Sequence, residues 1–485
     1  MPNLDVVVRR RLFIVAVVAA LMAAGGTGVV RASTLAPASP LCVPRAQPPT
    51  ANLSMLSDTV VNGDPRIHDV TFRSAALNGT VHSDVLLPAG YDATGATRYP
   101  VLFLLHGHGG HYTDWVNHGV EGIVGDRPVI VVMPDGGYDG FYSDWYGTDL
   151  DGHTPNPPPA WETFHLDELL PWVDQHYPTV GTRAGRGVAG LSMGGFGSTS
   201  YPARHPDLFV AAGAFSGAVD TDLYYPVANV AEPVASNLPD QKPPDNCIWG
   251  DGLTQDVIWR DHDPTELARN FRGVSLYQAS GNGLPGRYDN PASPNPGADL
   301  TELGIWQMNQ QFDQALTAAG IAHRTDFYGN GTHNWPYWLD DLRAFLPQME
   351  AAFAGPAPAP PVVAFSFESA RAPFSVWEWT FTPHRDVTEM TYLTDVGAGG
   401  LTAAGSGVLH VDTGSLYTPG AVYQVTGTNT AGPPFVTADA GGRLHFDIDL
   451  GPSHETQQYV FGSEAEASFT HAVVRIRQKP GHAPT

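Results

Sequence analysis

The chain has 485 residues, with 25 Lys and Arg against 49 Asp and Glu, for a net charge of −24 at neutral pH. So acidic a surface repels nucleic acid and anionic membranes, and neither is expected as a partner. The length exceeds one ordinary domain and predicts two.

Residues 1–32 read as a secretory signal peptide. Arg9, Arg10 and Arg11 precede an apolar stretch over residues 12–24, and Val30-Arg31-Ala32 offers a small-residue cleavage site before Ser33. The apolar stretch is too short for a comfortable membrane span. The mature chain is therefore expected to be secreted, without a transmembrane anchor. Loss of four arginines and one aspartate would leave it at about −27. Residues 33–64 hold an Ala-, Pro- and Ser-rich stretch and read as a flexible N-terminal arm. Cys42 and Cys247 permit one disulfide in an exported chain, with two buried free thiols as the alternative.

Over residues 65–354, strand-like runs alternate with helical ones. Tyr99-Pro100 leads into the unbroken apolar run Val101–Leu105, and residues 129–133 form a second such run. Residues 166–176 predict a helix, residues 186–190 a strand followed by another helix, and residues 209–215 and 274–278 further strands. Pro202 lacks an amide donor and predicts an early end to the helix after residue 190. Residues 224–264, rich in Asp and Pro, read as an insertion over the sheet. A strand over 324–327 and a helix over 337–353 complete the pattern. Alternating β and α elements imply a mostly parallel sheet covered on both faces.

Residues 355–361, Gly-Pro-Ala-Pro-Ala-Pro-Pro, form a semi-rigid linker. Beyond it the hydrophobic period becomes two, as in Val363, Phe365 and Phe367 or Trp377, Trp379 and Phe381. Residues 362–485 therefore predict an all-β, sandwich-like accessory domain. Tyr417 and Trp377 are candidates for exposed aromatics that contact carbohydrate or cell-wall polymer, but such aromatics are more often core, and a stabilising accessory domain is the reading expected.

The chemistry concentrates in three places. Gly190-Leu191-Ser192-Met193-Gly194 has the form of a nucleophile elbow, in which small neighbours let a strand and a helix meet at a strained serine. That turn would aim the Met193 amide at a developing oxyanion. The Gly-rich stretch His106-Gly107-His108-Gly109-Gly110, directly after an apolar strand, suits a second backbone donor. His333, in Gly331-Thr332-His333-Asn334-Trp335, lies on a loop between strand and helix, where a general base belongs. The acid that orients it must fall between Ser192 and His333 in this architecture, and Asp289, Asp299, Glu302, Asp313 and Asp326 are all available. Glu302 opens a helical face with Ile305, Met308, Phe312 and Leu316, which places it in a first turn, as a catalytic acid or merely a cap. No Cys/His spacing reads as a zinc site and no nucleotide-binding glycine signature appears, so neither metal nor cofactor is expected.

Several further segments carry a resemblance. Val131-Val132-Met133-Pro134-Asp135-Gly136-Gly137, Phe141-Tyr142-Ser143-Asp144-Trp145-Tyr146, Trp161-Glu162-Thr163-Phe164, the elbow, and Gly329-Asn330-Gly331-Thr332-His333-Asn334-Trp335 occur in the order found in one family. Over residues 95–350 the chain resembles the secreted mycolyltransferases of the antigen 85 type and the wider esterase D group. The resemblance implies an α/β-hydrolase fold, with Ser192 as nucleophile, His333 as base and Glu302 as acid. It places the oxyanion hole at the backbone amides of His108 and Met193, with His106, Trp145 and Trp335 as candidate pocket residues. Where the mycolyltransferases carry Asp-Gly-Leu-Arg in the sugar-handling loop, this chain has His106-Gly107-His108-Gly109, closer to a plain esterase. The expected function is a secreted serine esterase or acyltransferase acting on ester or acyl-sugar substrates. The alternatives are mycolyl-type transfer to a sugar, a polysaccharide-directed esterase, and a non-catalytic surface or adhesion protein that keeps the fold.

Overall fold

The computed structural model describes residues 42–149, 154–223, 247–355, 364–432, 434–460, 463 and 468–479. The signal-like segment, most of the Pro-rich linker and residues 224–246 of the expected insertion lie outside the described residues.

The N-terminal unit contains the strands β1 (Cys42–Pro44), β2 (Leu53–Val60), β3 (Ile67–Ser74), β4 (Gly79–Leu86), β5 (Val101–Leu105), β6 (Ile130–Pro134), β7 (Gly147–Asp149), β8 (Arg186–Leu191), β9 (Ala211–Phe215), β10 (Ser275–Ser280) and β11 (His323–Phe327). Nine of them form one sheet in the order β11-β10-β9-β8-β5-β6-β4-β3-β2. Pairing is parallel from β11 to β6 and antiparallel from β6 to β2. β5, β6, β8 and β9 are buried along their whole length, which is why their sequences read as unbroken apolar or small runs. Alternate residues of β5 feed two cores: Val101, Phe103 and Leu105 join one, Leu102 and Leu104 the other.

Five helices matter for the site: α1 (residues 161–176, π-helical over Phe164–Leu169), α2 (Met193–Arg204), α3 (Asp256–His262), α4 (Pro296–Ala318) and α5 (Trp335–Ala354). Phe196 of α2 and Phe312 of α4 enter the first core, and Phe345 and Met349 of α5 enter the second, so helices cover both faces. This is the α/β-hydrolase arrangement.

Three expectations need correction. The arm is not an arm over its described part: β1 pairs with β7, and β2 is the outermost strand of the main sheet. β2 is exposed along nearly its whole length, so no burial forces the apolar–polar alternation that marks a strand in sequence. The helix α2 runs through Pro202 to Arg204; the proline falls in the last turn, where only a short stretch of helix depends on the missing donor. Finally, the described end of the expected insertion, including α3, is buried structure packed beside α2. Cys42 and Cys247, whose state the sequence left open, form a disulfide that ties β1 to the catalytic unit.

The C-terminal unit consists of two antiparallel sheets, of six and five strands among the described residues, from Phe365–Ser369 to Thr470–Gln478. Phe367, Trp379, Phe381, Leu393, Val411 and Ile448 fill the space between them. Tyr417, a candidate for an exposed platform but of a kind more often found in a core, is buried here with its ring edge-on to Tyr423. Trp377 is half-buried beneath the Arg183 guanidinium of the catalytic unit, and its amide donates to Asp207. Neither ring is a free sugar platform.

The two units meet at a seam of buried charge. Arg204, at the end of α2, pairs with Glu162 at 3.1 Å and Asp261 at 2.5 Å. Glu162 also takes His205 at 2.8 Å and Arg371 at 3.4 Å. The other oxygen of Asp261 accepts the Ser369 hydroxyl and the Ala370 amide, and Asn270 exchanges hydrogen bonds with the Glu368 backbone. Arg204, His205 and Arg371 thus face Glu162 and Asp261, the opposite charges that burial of charge demands.

Candidate active site

Strand ends place the site. Ser192 follows β8 and begins α2 with φ +55° and ψ −118°, a conformation that non-glycine residues rarely adopt. The surrounding backbone packs too closely for side chains on the neighbouring glycines. A β-carbon on Gly190 would lie 2.4 Å from the Gly194 carbonyl oxygen, and one on Gly194 would lie 2.5 Å from that of Leu105. The Ser192 amide donates to the Phe215 carbonyl at 2.9 Å, tying the elbow to β9. Such strain persists only where the surroundings over-determine it.

His333, on the loop between β11 and α5, brings its Nε2 to 2.8 Å from Ser192 Oγ and its Nδ1 to 2.7 Å from Glu302 Oε2. A buried carboxylate accepts, so Nδ1 carries the proton and Nε2 offers a lone pair to the serine hydroxyl. The Glu302 side chain is fully buried, whereas Ser192 and His333 are partly open. Its second oxygen accepts the Ser216 hydroxyl at 2.8 Å and the Gly281 amide at 2.7 Å. Glu302 lies in the second turn of α4, not the first, because the helix begins at Pro296. These neighbours, rather than the helix terminus, hold its carboxylate.

Among the described residues none of the remaining acid candidates hydrogen-bonds His333. Asp289 accepts from Thr332 at 2.5 Å and Tyr337 at 2.7 Å, bracing the His333 loop from outside. Asp313 pairs with His323, Asp299 lies in the first turn of α4, and Asp326 lines a separate cavity with Tyr328 and Asp340. The Met193 amide begins α2, where no intrahelical acceptor exists for it. His108 lies in the loop after β5, which packs on the elbow: a β-carbon on Gly107 would come within 3.3 Å of Ser192 Cβ.

The Esterase family model matches residues 74–349. The chain belongs to the Esterase family. It is 30% identical over 272 residues to Esterase Rv1288 of Mycobacterium tuberculosis, covering 54% of this chain and 54% of that protein. It is 32% identical over 232 residues to the diacylglycerol acyltransferase/mycolyltransferase Ag85B of Mycolicibacterium smegmatis, covering 46% of this chain and 67% of that one. The solved structure of Mycobacterium tuberculosis MPT51 (FbpC1) aligns with a TM-score of 0.45 at 21% identity, over 63% of this chain and all of that one. The chain spans about half the length of the curated esterases it matches.

The pocket candidates of this Esterase-family chain separate. Trp335 is half-buried, stacked on His118 at 3.7 Å and edge-on to Trp338, whose ring in turn meets His333 at 4.9 Å. It stands one ring from the site. Trp145 is a buried core residue whose indole donates to the Gly140 carbonyl. His106 is 1% exposed, with both ring nitrogens turned onto backbone, and is not a pocket wall either. A cleft of about 530 Å³ opens beside His333, bounded by Thr332 and Asn334 and by Tyr288, Asn290 and Asp299.

Ser216 escaped the sequence reading. Its signal was a serine directly after an apolar run; the structure puts that serine at the carboxyl edge of β9 with φ +46°. Among the described residues no cluster of His, Cys, Asp or Glu could hold a metal ion, and no helix is long and apolar enough to cross a membrane.

Proposed function

We propose that the chain is a serine ester hydrolase or acyltransferase in which Ser192, His333 and Glu302 act as nucleophile, base and orienting acid. The observation that carries this reading is the continuous hydrogen-bond line Ser192–His333–Glu302, with spacings of 2.8 and 2.7 Å, set at a strained elbow. Ser192 attacks the ester carbonyl while His333 Nε2 takes its proton. Glu302 fixes the tautomer and stabilises the imidazolium that forms. The tetrahedral oxyanion is received by the amides of Met193 and His108, each worth roughly 3 kcal/mol in the transition state by analogy with measured donors. His333 then protonates the leaving alcohol, and water or a second alcohol releases the acyl group.

Hydrolysis of short or polar esters is favoured over transfer of long lipid chains. The cleft beside His333 sets Tyr288, Asn290, Asp299 and Asn334 among Pro285, Pro291, Pro294 and Ala298, a mixed lining that offers hydroxyls partners a purely apolar tunnel would not. Export belongs to the same proposal. It is supported by the Arg9–Arg11 cluster before an apolar run and by a disulfide in the described residues.

The test is hydrolysis of p-nitrophenyl esters from acetate to long acyl chains by the wild type and by Ser192→Ala, each checked for folding. Activity that peaks at short chains and disappears in Ser192→Ala is expected. A folded wild type that leaves every ester intact would favour the non-catalytic reading. N-terminal sequencing of protein from the culture medium should begin at Ser33.

A further inference from the structure

His106 follows β5 at the carboxyl edge of the sheet and is 1% exposed. Both ring nitrogens are committed to backbone. Nε2 accepts the Gly136 amide at 2.8 Å, so it carries no proton, and Asp135 Oδ1 stands 3.4 Å to its side. Nδ1 therefore holds the proton and donates it to the Gly107 carbonyl at 2.8 Å. The Gly110 amide reaches the same carbonyl at 3.1 Å.

That carbonyl belongs to the peptide whose nitrogen is the His108 amide. A trans peptide is planar, so its C=O and N–H point in opposite directions, and fixing one fixes the other. The rest of the loop is tied as well. The Tyr142 hydroxyl donates to the His106 carbonyl at 2.8 Å, and the Gly109 amide donates to the Tyr138 carbonyl at 2.8 Å. Gly107 has no side chain to resist rotation of its own peptide, which makes the carbonyl's partners decisive.

We propose that His106 is a positioning residue: by holding the Gly107 carbonyl with Nδ1–H, it aims the His108 amide at the oxyanion formed on Ser192. The proposal rests on the serine reading above. It also gives a reason for a histidine, rather than an acceptor-only carboxylate, at the head of this loop. A carboxylate has no proton with which to hold a carbonyl, whereas a neutral imidazole donates from one nitrogen and receives Gly136 on the other.

The experiment compares wild type, Ser192→Ala, His106→Leu, His106→Met and His106→Asn on p-nitrophenyl acetate. It also measures inhibition by an aryl trifluoromethyl ketone, which forms a hemiketal oxyanion on the nucleophile. Near-UV circular dichroism establishes which variants are folded. His106→Leu, or His106→Met should the first not fold, is expected to lose about 10²- to 10³-fold in kcat, the measured range for one lost oxyanion donor. KM should stay within about threefold while the ketone weakens by a factor like that on kcat. His106→Asn keeps an amide N–H close to the position of Nδ1 and should recover most of both. A folded Leu or Met variant with wild-type kcat and ketone affinity, beside an inactive Ser192→Ala, would overturn the assignment alone. So would an Asn variant no better than Leu. A Ser192→Ala variant as active as wild type would overturn the serine reading and this assignment with it.

Discussion

Glu302 and Glu162 are both buried glutamates in the same α/β unit, yet they are stabilised in opposite ways. Glu302, at the carboxyl edge of the sheet, accepts from a serine, a backbone amide and His333. Glu162, at the seam with the β-sandwich, is surrounded by Arg204, Arg371 and His205. Burial alone pushes the Glu162 carboxyl up, but Arg204, then His205 and Arg371, outweigh it and hold the group well below the usual carboxylate range. A carboxylate locked by guanidinium groups is a fixed charge. One whose ionised partner would be an imidazole can answer a proton arriving on that imidazole, which catalysis requires. Asp84 supplies the third case. It is fully buried between β3 and β6, and among the described residues neither of its oxygens has a hydrogen-bond partner. Burial, with the Asp69 charge adding to it, pushes its carboxyl up to about 7.

Substitutions at these sites should separate the roles. Glu302→Gln removes the charge but keeps the shape. It should lower kcat on p-nitrophenyl acetate by about 10⁴-fold, as for a comparable triad acid, with little change in melting temperature. Glu162→Gln should do the reverse. Breaking a buried pair costs about 3–5 kcal/mol, so chemical denaturation should shift strongly while kcat per folded molecule stays within a few-fold. The Glu162 contribution has a direction in pH. A depressed folded-state value means stability that is complete above the ordinary glutamate range and lost as pH falls through the depressed value. Acid should therefore loosen the seam.

Asp84→Asn should act oppositely in pH. A raised folded-state value means the protonated form is favoured in the fold; stability erodes as pH rises from about 4 to about 7, and the full cost is present above that. The asparagine variant should gain at most roughly 4 kcal/mol at pH 8, shrinking toward zero near pH 4. Equal gains at both values would remove Asp84 from the comparison. The smallest effect belongs to Ser216→Ala, which leaves Gly281 and His333 on Glu302. The loss of one hydrogen bond to a charged acceptor predicts a drop of about tenfold in kcat with unchanged KM.

What the sequence disclosed follows the same physics. β5, β6 and β8 were legible because burial on both faces leaves long apolar or small runs, and the sandwich because burial on one face leaves alternation. β1 and β2 carry neither mark, being short or exposed at an edge. Ser192 and His333 were legible from glycines and a loop position. Glu302 was separable from Asp289 and Asp299 only through resemblance, since all three lie within 14 residues and spacing cannot weigh them. The seam was illegible: Glu162, Arg204, Asp261 and Ser369 come from four distant segments, and nothing local marks them as partners. Trp145 and His106 show the converse error: a matching segment for the one and the glycine-rich loop for the other suggested a pocket, and burial assigned both to the scaffold.

The central claim is that Ser192 is the activated nucleophile, and a covalent label tests it without assuming any substrate. Wild type, Glu302→Gln and Ser192→Ala would be treated with diethyl p-nitrophenyl phosphate and digested, and the diethylphosphoryl adduct located by mass spectrometry. One adduct per chain on Ser192 is expected in wild type, formed much more slowly in Glu302→Gln and absent from Ser192→Ala. An adduct on a different serine, or a wild type that stays unlabelled while folded, would contradict the account.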